Sequence, residues 1–265
     1  MPYETLLAEK RDGVALVTLN RPERLNALST TLFLEFNQAL TQFEEDADVR
    51  VLMVRGAGEK AFSAGADIHE MVSAEGRRRH PGAQVGEWMW HLASYRKPTI
   101  GIINGLAYGG GALMSSIFDI RLGCERTSFR FLAVTYGRVN STWTLPLIVG
   151  WPLAKELLFT GRVVAAEEAC RIGLLNRLVP SEKLMETAWE MARLIASNDA
   201  AAVQAVREIA TSNIGLGWRE MMLNEASVLA RSLEPPPPEQ SFSRFLERRR
   251  GRKKGERDGS PQDGA

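Results

Sequence analysis

"KPTIGIINGLAYGGGALMSSIFDIRLG", Lys97 to Gly123, carries the clearest architectural signal in this chain of 265 residues. An apolar, β-rich run, "KPTIGIIN", passes through a turn into three consecutive glycines, Gly109 to Gly111. The apolar stretch behind them reads as a helix, and "DIRLG" reads as another strand. Glycine inside a helix costs roughly 0.5–1 kcal/mol relative to alanine. Three of them at a helix start therefore need a reason. They are not a phosphate loop, because no Gly-Lys-Ser/Thr follows. They are not the dinucleotide fingerprint, because Met114 stands where its last glycine belongs. Two readings stay open. The glycines permit close helix packing, or they bare a helix N-terminus, whose free N–H groups and positive potential suit an oxygen.

A second bare stretch, "FSAGAD" (Phe62–Asp67), also lies between a strand and a helix. One N–H from each stretch, aimed at one carbonyl oxygen, would stabilise an enolate or a tetrahedral oxyanion.

Outward from these, strands are expected at "GVALVTLN" (Gly13–Asn20) and "VRVLMVRG" (Val49–Gly56). Ser29 suits the N-cap of a helix through about Glu44, with Leu32, Phe36, Leu40 and Phe43 at helical spacing. Glu87–Tyr95 reads as helix, and Ser73–Gln84 as a polar loop. Alternating strands and helices suggest parallel pairing with right-handed crossovers. After Leu153 helical patterns take over: Leu153–Thr160, Ala165–Arg171, Ser181–Ala196, Ala200–Thr211 and Trp218–Ser232, with "NRLV" as a short strand. "EPPPPE" (Glu234–Glu239) is a stiff break before a last helix, Gln240–Arg250. The expected organisation is an α/β core over 1–195, a helical region over 196–250 and a basic, polar tail over 251–265.

Composition is that of a globular protein, 45% apolar and 25% charged, with net charge +1. No apolar run is long enough for a membrane span. "MPYETLLAEKRDG" lacks the apolar stretch of a signal peptide. Cys124 and Cys170 imply neither a disulfide framework nor a metal site, so a cytoplasmic setting is expected. Arg244–Arg257 holds eight Lys or Arg against two Glu, which leaves the rest of the chain at −5. That run reads as a solvated helix end, a holder of ligand phosphates or an RNA contact. Phe245 is the one aromatic residue in it, so aromatics do not interleave with the basic residues as a stacking platform would need.

Ordered blocks of sequence resemble the crotonase superfamily, the enoyl-CoA hydratase/isomerase group. They are "NRPERLNAL" (Asn20–Leu28), "AFSAGADIHEM" (Ala61–Met71), the opening stretch, "AKELLFTGRVVAAEEACRIGLLNRLVP" (Ala154–Pro180) and "FLERRRG" (Phe245–Gly251). The resemblance spans roughly residues 3 to 250. It implies a ClpP-like crotonase fold, a spiral of ββα units with a C-terminal helical trimerisation region. It implies an acyl-CoA substrate, with coenzyme A as part of that substrate and no covalently bound cofactor. A homotrimer or homohexamer is the implied assembly. In that scheme the N–H groups of Ala66 and Gly110 form the oxyanion hole. Arg24, Ala27, Ala64, Asp67, Ile68 and Arg248 fall in the CoA region.

The chain departs from the pattern where hydratases carry two glutamates, for Leu113 and Ala133 stand there. Neither can transfer a proton. "GRVNSTWTLPLIVG" (Gly137–Gly150) also replaces the family's glycine-rich loop and is shorter. Ordinary crotonyl-CoA hydration is therefore not expected. Candidate replacements are Tyr136, Asn140 and His69, with Arg138 as a fork for an acidic substituent and Asp67, Glu70 or Glu87 as relocated acids. His69 and Glu70 cannot both face one pocket on a helix of 100° per residue. His91 and His80 read as structural or surface residues. The expected function is enolate stabilisation on an acyl-CoA by non-standard acid–base groups. Decarboxylation, thioester hydrolysis, non-catalytic acyl-CoA binding and RNA binding are the alternatives.

Overall fold

The computed structural model describes residues 3–73, 84–233 and 237–238. The expected loop Ser73–Gln84, the last helix, Arg248 and the basic run fall largely or wholly outside these residues. The described residues form two compact units that divide between Arg207 and Glu208.

In the first unit, β1 (Leu6–Arg11) and β2 (Val14–Leu19) form a hairpin. Its two-residue turn, Asp12–Gly13, has φ of 54° and 76°, the left-handed pair that an Asp-Gly dipeptide accepts most readily. β3 (Val51–Gly56), β5 (Thr99–Ile103), β7 (Ile120–Gly123) and β10 (Arg177–Leu178) extend this hairpin into a six-stranded sheet of order β1-β2-β3-β5-β7-β10. A second sheet has the order β4-β6-β8-β9, built from β4 (Ala61–Ser63), β6 (Leu106–Tyr108), β8 (Ser128–Arg130) and β9 (Val163–Ala165). Successive strands thus alternate between the sheets, then yield a helix. β3 and β4 precede α2 (Ile68–Val72), and β5 and β6 precede α4 (Gly110–Ile117). This is the ββα unit, repeated in space although no repeat is legible in the letters.

Pairing is parallel inside both sheets, as expected, but β1–β2 and β8–β9 are antiparallel. The first exception follows from the Asp-Gly turn, which is too short for a crossover. β1, β4, β6, β8 and β9 escape a reading by apolar runs because they are three residues long or, like β1, exposed along one edge.

α1 (Thr30–Glu45) starts as anticipated, with the Ser29 hydroxyl accepting from the Leu32 N–H. It buries Leu32, Phe36, Leu40 and Phe43. It packs on β1 and β2 of the large sheet, α3 (Gln84–Ala93) packs on α1 and α4, and α4 packs on β4 and β6 of the small sheet. α8 (Ser181–Ala196) packs on the large sheet with Leu184, Ala188, Trp189 and Ala192. α5 (Leu145–Val149), α6 (Trp151–Thr160) and α7 (Ala166–Arg171) complete the helices of the first unit, and α9 (Ala200–Ser212) runs through the division. The second unit contains α10 (Trp218–Ser232), whose Asn224 amide donates to the Ser212 hydroxyl and the Asn213 side chain. No described helix is long and apolar enough to cross a membrane.

Candidate active site

Three neighbouring strands of the small sheet, β4, β6 and β8, run parallel, so their C-terminal ends lie side by side. β4 ends in the turn carrying Ala66. β6 ends at Gly109 and Gly110. β8 leads within three residues to Ala133. One edge of one sheet therefore gathers the segments that the sequence singled out. The Gly109 N–H donates to the Arg130 carbonyl at 2.9 Å and joins two of them directly.

The two glycine-bearing turns touch. Gly65 has φ +93°, and a Cβ on it would lie 2.6 Å from the Tyr108 oxygen and 2.8 Å from the Gly110 nitrogen. Only glycine fits such an approach. A Cβ on Gly110 would lie 3.5 Å from the Ala66 nitrogen. Leu28 pairs with Ala66 as a parallel bridge, taking Gly65 as acceptor (2.7 Å) and Asp67 as donor (3.2 Å). The Ala66 N–H is thereby turned away from Leu28. Gly110 opens α4, where an N–H has no intrahelical partner. Neither N–H has a backbone acceptor among the described residues. The packing role of the glycines is equally real: a Cβ on Gly111 would meet the Ser63 oxygen at 2.3 Å.

The turn Asn20–Leu28 is held against this edge by buried polar groups. Leu25 and Asn26 both sit at left-handed φ, 52° and 54°. Leucine gains nothing there, so the conformation is imposed. Asn26 imposes it: its side chain accepts from the Arg21 N–H and donates to the Ala57 and Ala61 carbonyls. Arg21 links the two turns, donating to the Ala27 carbonyl at 2.7 Å and pairing with Asp67 at 2.9 Å. Arg21 and Asn26 are the residues sequence reasoning missed. A buried Asp needs a counterion, and Arg21 stood in the adjoining block.

Asp67 also caps α2, accepting from the Glu70 N–H. Burial works to raise its carboxyl, but that N–H and the Arg21 and Arg24 guanidinium groups outweigh it and hold the group below the ordinary carboxylate range. Its backbone N–H and carbonyl are engaged as well, with Leu28 and Met71. Asp67 is thus fully used as a brace. Glu70 accepts from the Thr30 N–H at 2.9 Å, at the start of α1. His69, beside it, is exposed and makes no side-chain hydrogen bond to a described residue. Glu87 is exposed on α3. Among the described residues, the carboxylates of Asp67 and Glu70 are both engaged by backbone N–H groups.

Leu113 is half-buried on α4, one turn beyond Gly110 and on the same face. Ala133 begins a 3-10 turn, Ala133–Tyr136. Side chains three apart eclipse in such a turn, so Tyr136, largely exposed, projects on the side of Ala133. Asn140 is half-buried and accepts from the Ser141 hydroxyl at 3.2 Å. Arg24 and Ile68 lie on the exposed surface beside the two turns, Ala27 is buried, and Ala64 is half-buried and donates to the Leu25 carbonyl. No cluster of His, Cys, Asp or Glu suited to a metal ion occurs among the described residues.

Comparison with known proteins agrees with this geometry. The enoyl-CoA hydratase/isomerase family matches residues 9–255. A short-chain-enoyl-CoA hydratase of Clostridium acetobutylicum is 33% identical over 94% of this chain and 97% of its own. The mitochondrial enoyl-CoA hydratase of Pongo abelii is 36% identical over 87% of this chain and 79% of its own. The crystal structure of an enoyl-CoA hydratase from Bacillus anthracis superposes with a TM-score of 0.87 at 32% identity, covering 92% of this chain and 97% of that one. The match over nearly the whole chain, in sequence and in fold, shows that the chain belongs to the enoyl-CoA hydratase/isomerase family of the crotonase superfamily.

Proposed function

We propose that this protein polarises the carbonyl of an acyl-CoA thioester between the N–H groups of Ala66 and Gly110 and stabilises an enolate-like intermediate there. The observation that carries the reading is the contact of the two glycine turns, which leaves both N–H groups adjacent and without backbone acceptors. Two such donors at a developing oxyanion supply much of the catalysis in acyl chemistry, about 3 kcal/mol for each. Coenzyme A enters as part of the substrate, beside the turn that carries Arg24 and Ala27 and the segment with Ala64 and Ile68. The family likeness also supports assembly as a trimer or hexamer.

Proton transfer falls to groups other than those at positions 113 and 133. Tyr136 is the first choice, because it shares a face with Ala133. Asn140 orients rather than transfers. His69, exposed on α2, serves only if the substrate reaches that side. A second reading, addition of water to an enoyl-CoA, is favoured by the names of relatives that match nearly the whole chain. It demands that a water be activated without either glutamate.

Mass spectrometry of enoyl-, dienoyl-, malonyl-type and aryl-CoA thioesters after incubation separates these outcomes. Gain of water means hydration, loss of carbon dioxide decarboxylation, and free CoA hydrolysis. Chromatography resolves isomers of equal mass. Gly110→Pro is the control, since a first helical position tolerates proline while the N–H is lost. A product that persists in this variant overturns the assignment of Gly110. An absence of both turnover and thioester binding overturns the acyl-CoA reading.

A further inference from the structure

The peptide between Gly65 and Ala66 carries one of the two proposed donors, and it is held from both ends of Gly65. A peptide group is planar, so its C=O and N–H point in opposite directions. The Gly65 carbonyl accepts from the Leu28 N–H at 2.7 Å, which sets one side of that plane. At its other end Gly65 donates its own N–H to the Ser63 hydroxyl at 3.1 Å, a buried bond. The N–H groups of Ala64 and Asp67 go to the backbone carbonyls of Leu25 and Leu28. Among the described residues, Ser63 Oγ is therefore the one side-chain atom that hydrogen-bonds the backbone of residues 64–66.

Ser63 closes β4 and is fully buried. β4 is irregular just before it: Ala61 pairs with Leu106, yet Ser63 pairs with the next residue, Ala107. Such a bulge re-aims the side chain that follows. The Ser63 hydroxyl donates to the Asn26 carbonyl at 2.8 Å, and the Asn26 amide donates to the Ala61 carbonyl at 2.9 Å. With its proton committed to Asn26, the oxygen offers lone pairs to Gly65. Ser63 also lies under the start of α4, where a Cβ on Gly111 would come within 2.8 Å of the Ser63 Cβ. One buried residue thus touches both turns that carry the donors.

We infer that Ser63 is a positioning residue: its hydroxyl, fixed by Asn26, holds the Gly65 backbone so that the Ala66 N–H is aimed at the thioester oxygen. The inference rests on the acyl-CoA reading above and adds the group that orients one of its two donors. Without the hydroxyl, the Gly65 N–H is buried with no acceptor. A glycine at φ +93° is then free to turn the peptide it carries.

The test is isotope-edited infrared spectroscopy of carbonyl-labelled acetyl-CoA bound to the full chain and to Ser63→Ala, Ser63→Cys and Ser115→Ala. Hydrogen bonds to a thioester oxygen lower its carbonyl stretch, so the band reads the donors and not the stability of the fold. In the parent the bound band should lie below that of free acetyl-CoA. In Ser63→Ala it should move back toward the free value, with acetyl-CoA affinity changed by less than about threefold. Ser63→Cys, whose sulfur is a weak acceptor, should fall between the two, and it decides the matter if Ser63→Ala does not fold. Ser115 is equally buried and its hydroxyl donates to the Ala112 carbonyl at 2.8 Å, so Ser115→Ala controls for the loss of a buried hydroxyl and should leave the band in place. An unmoved band in the Ser63 variants overturns the inference while leaving the acyl-CoA reading intact. So does a Ser115→Ala band that moves as far as that of Ser63→Ala, which would make the effect a general loosening. A parent that does not bind acetyl-CoA, or binds it with the band of the free thioester, overturns the acyl-CoA reading and this inference with it.

Discussion

Arg21 and Asp67 face each other 2.9 Å apart with little solvent access, and through them the turn after β2 is tied to the turn that presents Ala66. Asp67→Asn keeps an oxygen to cap α2 but removes the negative charge opposite the Arg21 guanidinium, which is then left largely buried without a counterion. Asp67→Asn should lower stability by about 1–3 kcal/mol at pH 7, read as a drop in urea midpoint. The folded carboxyl titrates below its ordinary value near 3.8. Its contribution is therefore complete well above that pH and is lost as pH falls through it toward the folded value. Asp67→Asn should flatten the acid limb of stability in that window. It should not abolish the limb, because Glu35 is also held low. Burial raises that carboxyl, but the Thr5 hydroxyl and the Glu4 and Thr5 N–H groups outweigh it.

Gly110→Ala and Gly111→Ala should fail in different ways. At Gly111 a Cβ meets the Ser63 oxygen at 2.3 Å and its Cβ at 2.8 Å, backbone that cannot yield cheaply. A loss of about 1–3 kcal/mol or more is expected, visible in thermal melts. At Gly110 the nearest atom is Leu28 Cδ1 at 3.3 Å, the end of a side chain. That variant should fold normally yet lose about 10²-fold in turnover, since the methyl fills the space beside the Ala66 N–H. Equal stability loss in both would reduce the glycines to packing.

Much of this was legible in the letters because glycine, turn and cap chemistry is local. The Ser29 cap, the two converging glycine stretches, and helices Ser181–Ala196 and Trp218–Ser232 come from short-range rules and stand in the structure. The three-residue strands of the small sheet were not legible, because three residues carry no periodicity. Nor was the pairing of Arg21 with Asp67, 46 positions apart, for nothing local distinguishes Arg21 from Arg24. Arg24, which the family resemblance implies for the CoA region, lies exposed beside the turn.

Placing carboxylates at positions 113 and 133 tests whether acids there change the chemistry. Leu113→Glu with Ala133→Glu should raise crotonyl-CoA hydration at least about tenfold over the parent, the low end of what general acid–base groups contribute. Leu113 is half-buried against the apolar core, so the double variant should also be less stable by about 1–3 kcal/mol. A parent that already hydrates crotonyl-CoA at the rate of the double variant would show that other groups activate the water.

The buried hydroxyl pair Ser116–Thr144 should couple α4 to the segment before α5. Ser116→Ala leaves the Thr144 hydroxyl buried with only a distant contact to the Ser141 carbonyl at 3.5 Å. Each single variant, Ser116→Ala or Thr144→Val, should cost about 1–3 kcal/mol, and the double variant less than their sum. Additive losses in a double-mutant cycle would show that the 2.7 Å contact contributes nothing of its own.

Tyr136→Phe isolates one hydroxyl. The side chain is 62% exposed, so its removal should shift stability by no more than about 0.5 kcal/mol. If the phenol moves a proton to or from the bound thioester, kcat should fall about 10²-fold with KM nearly unchanged. The ring stays in place, so binding contacts made by its faces survive. A matched fall in kcat/KM through KM alone would instead make Tyr136 a binding surface. Unchanged kinetics would return the proton to Asn140-bound water or to substrate. Comparing the pH dependence of kcat in parent and variant decides between these, because only a proton-transferring phenol takes a limb of the profile away with it.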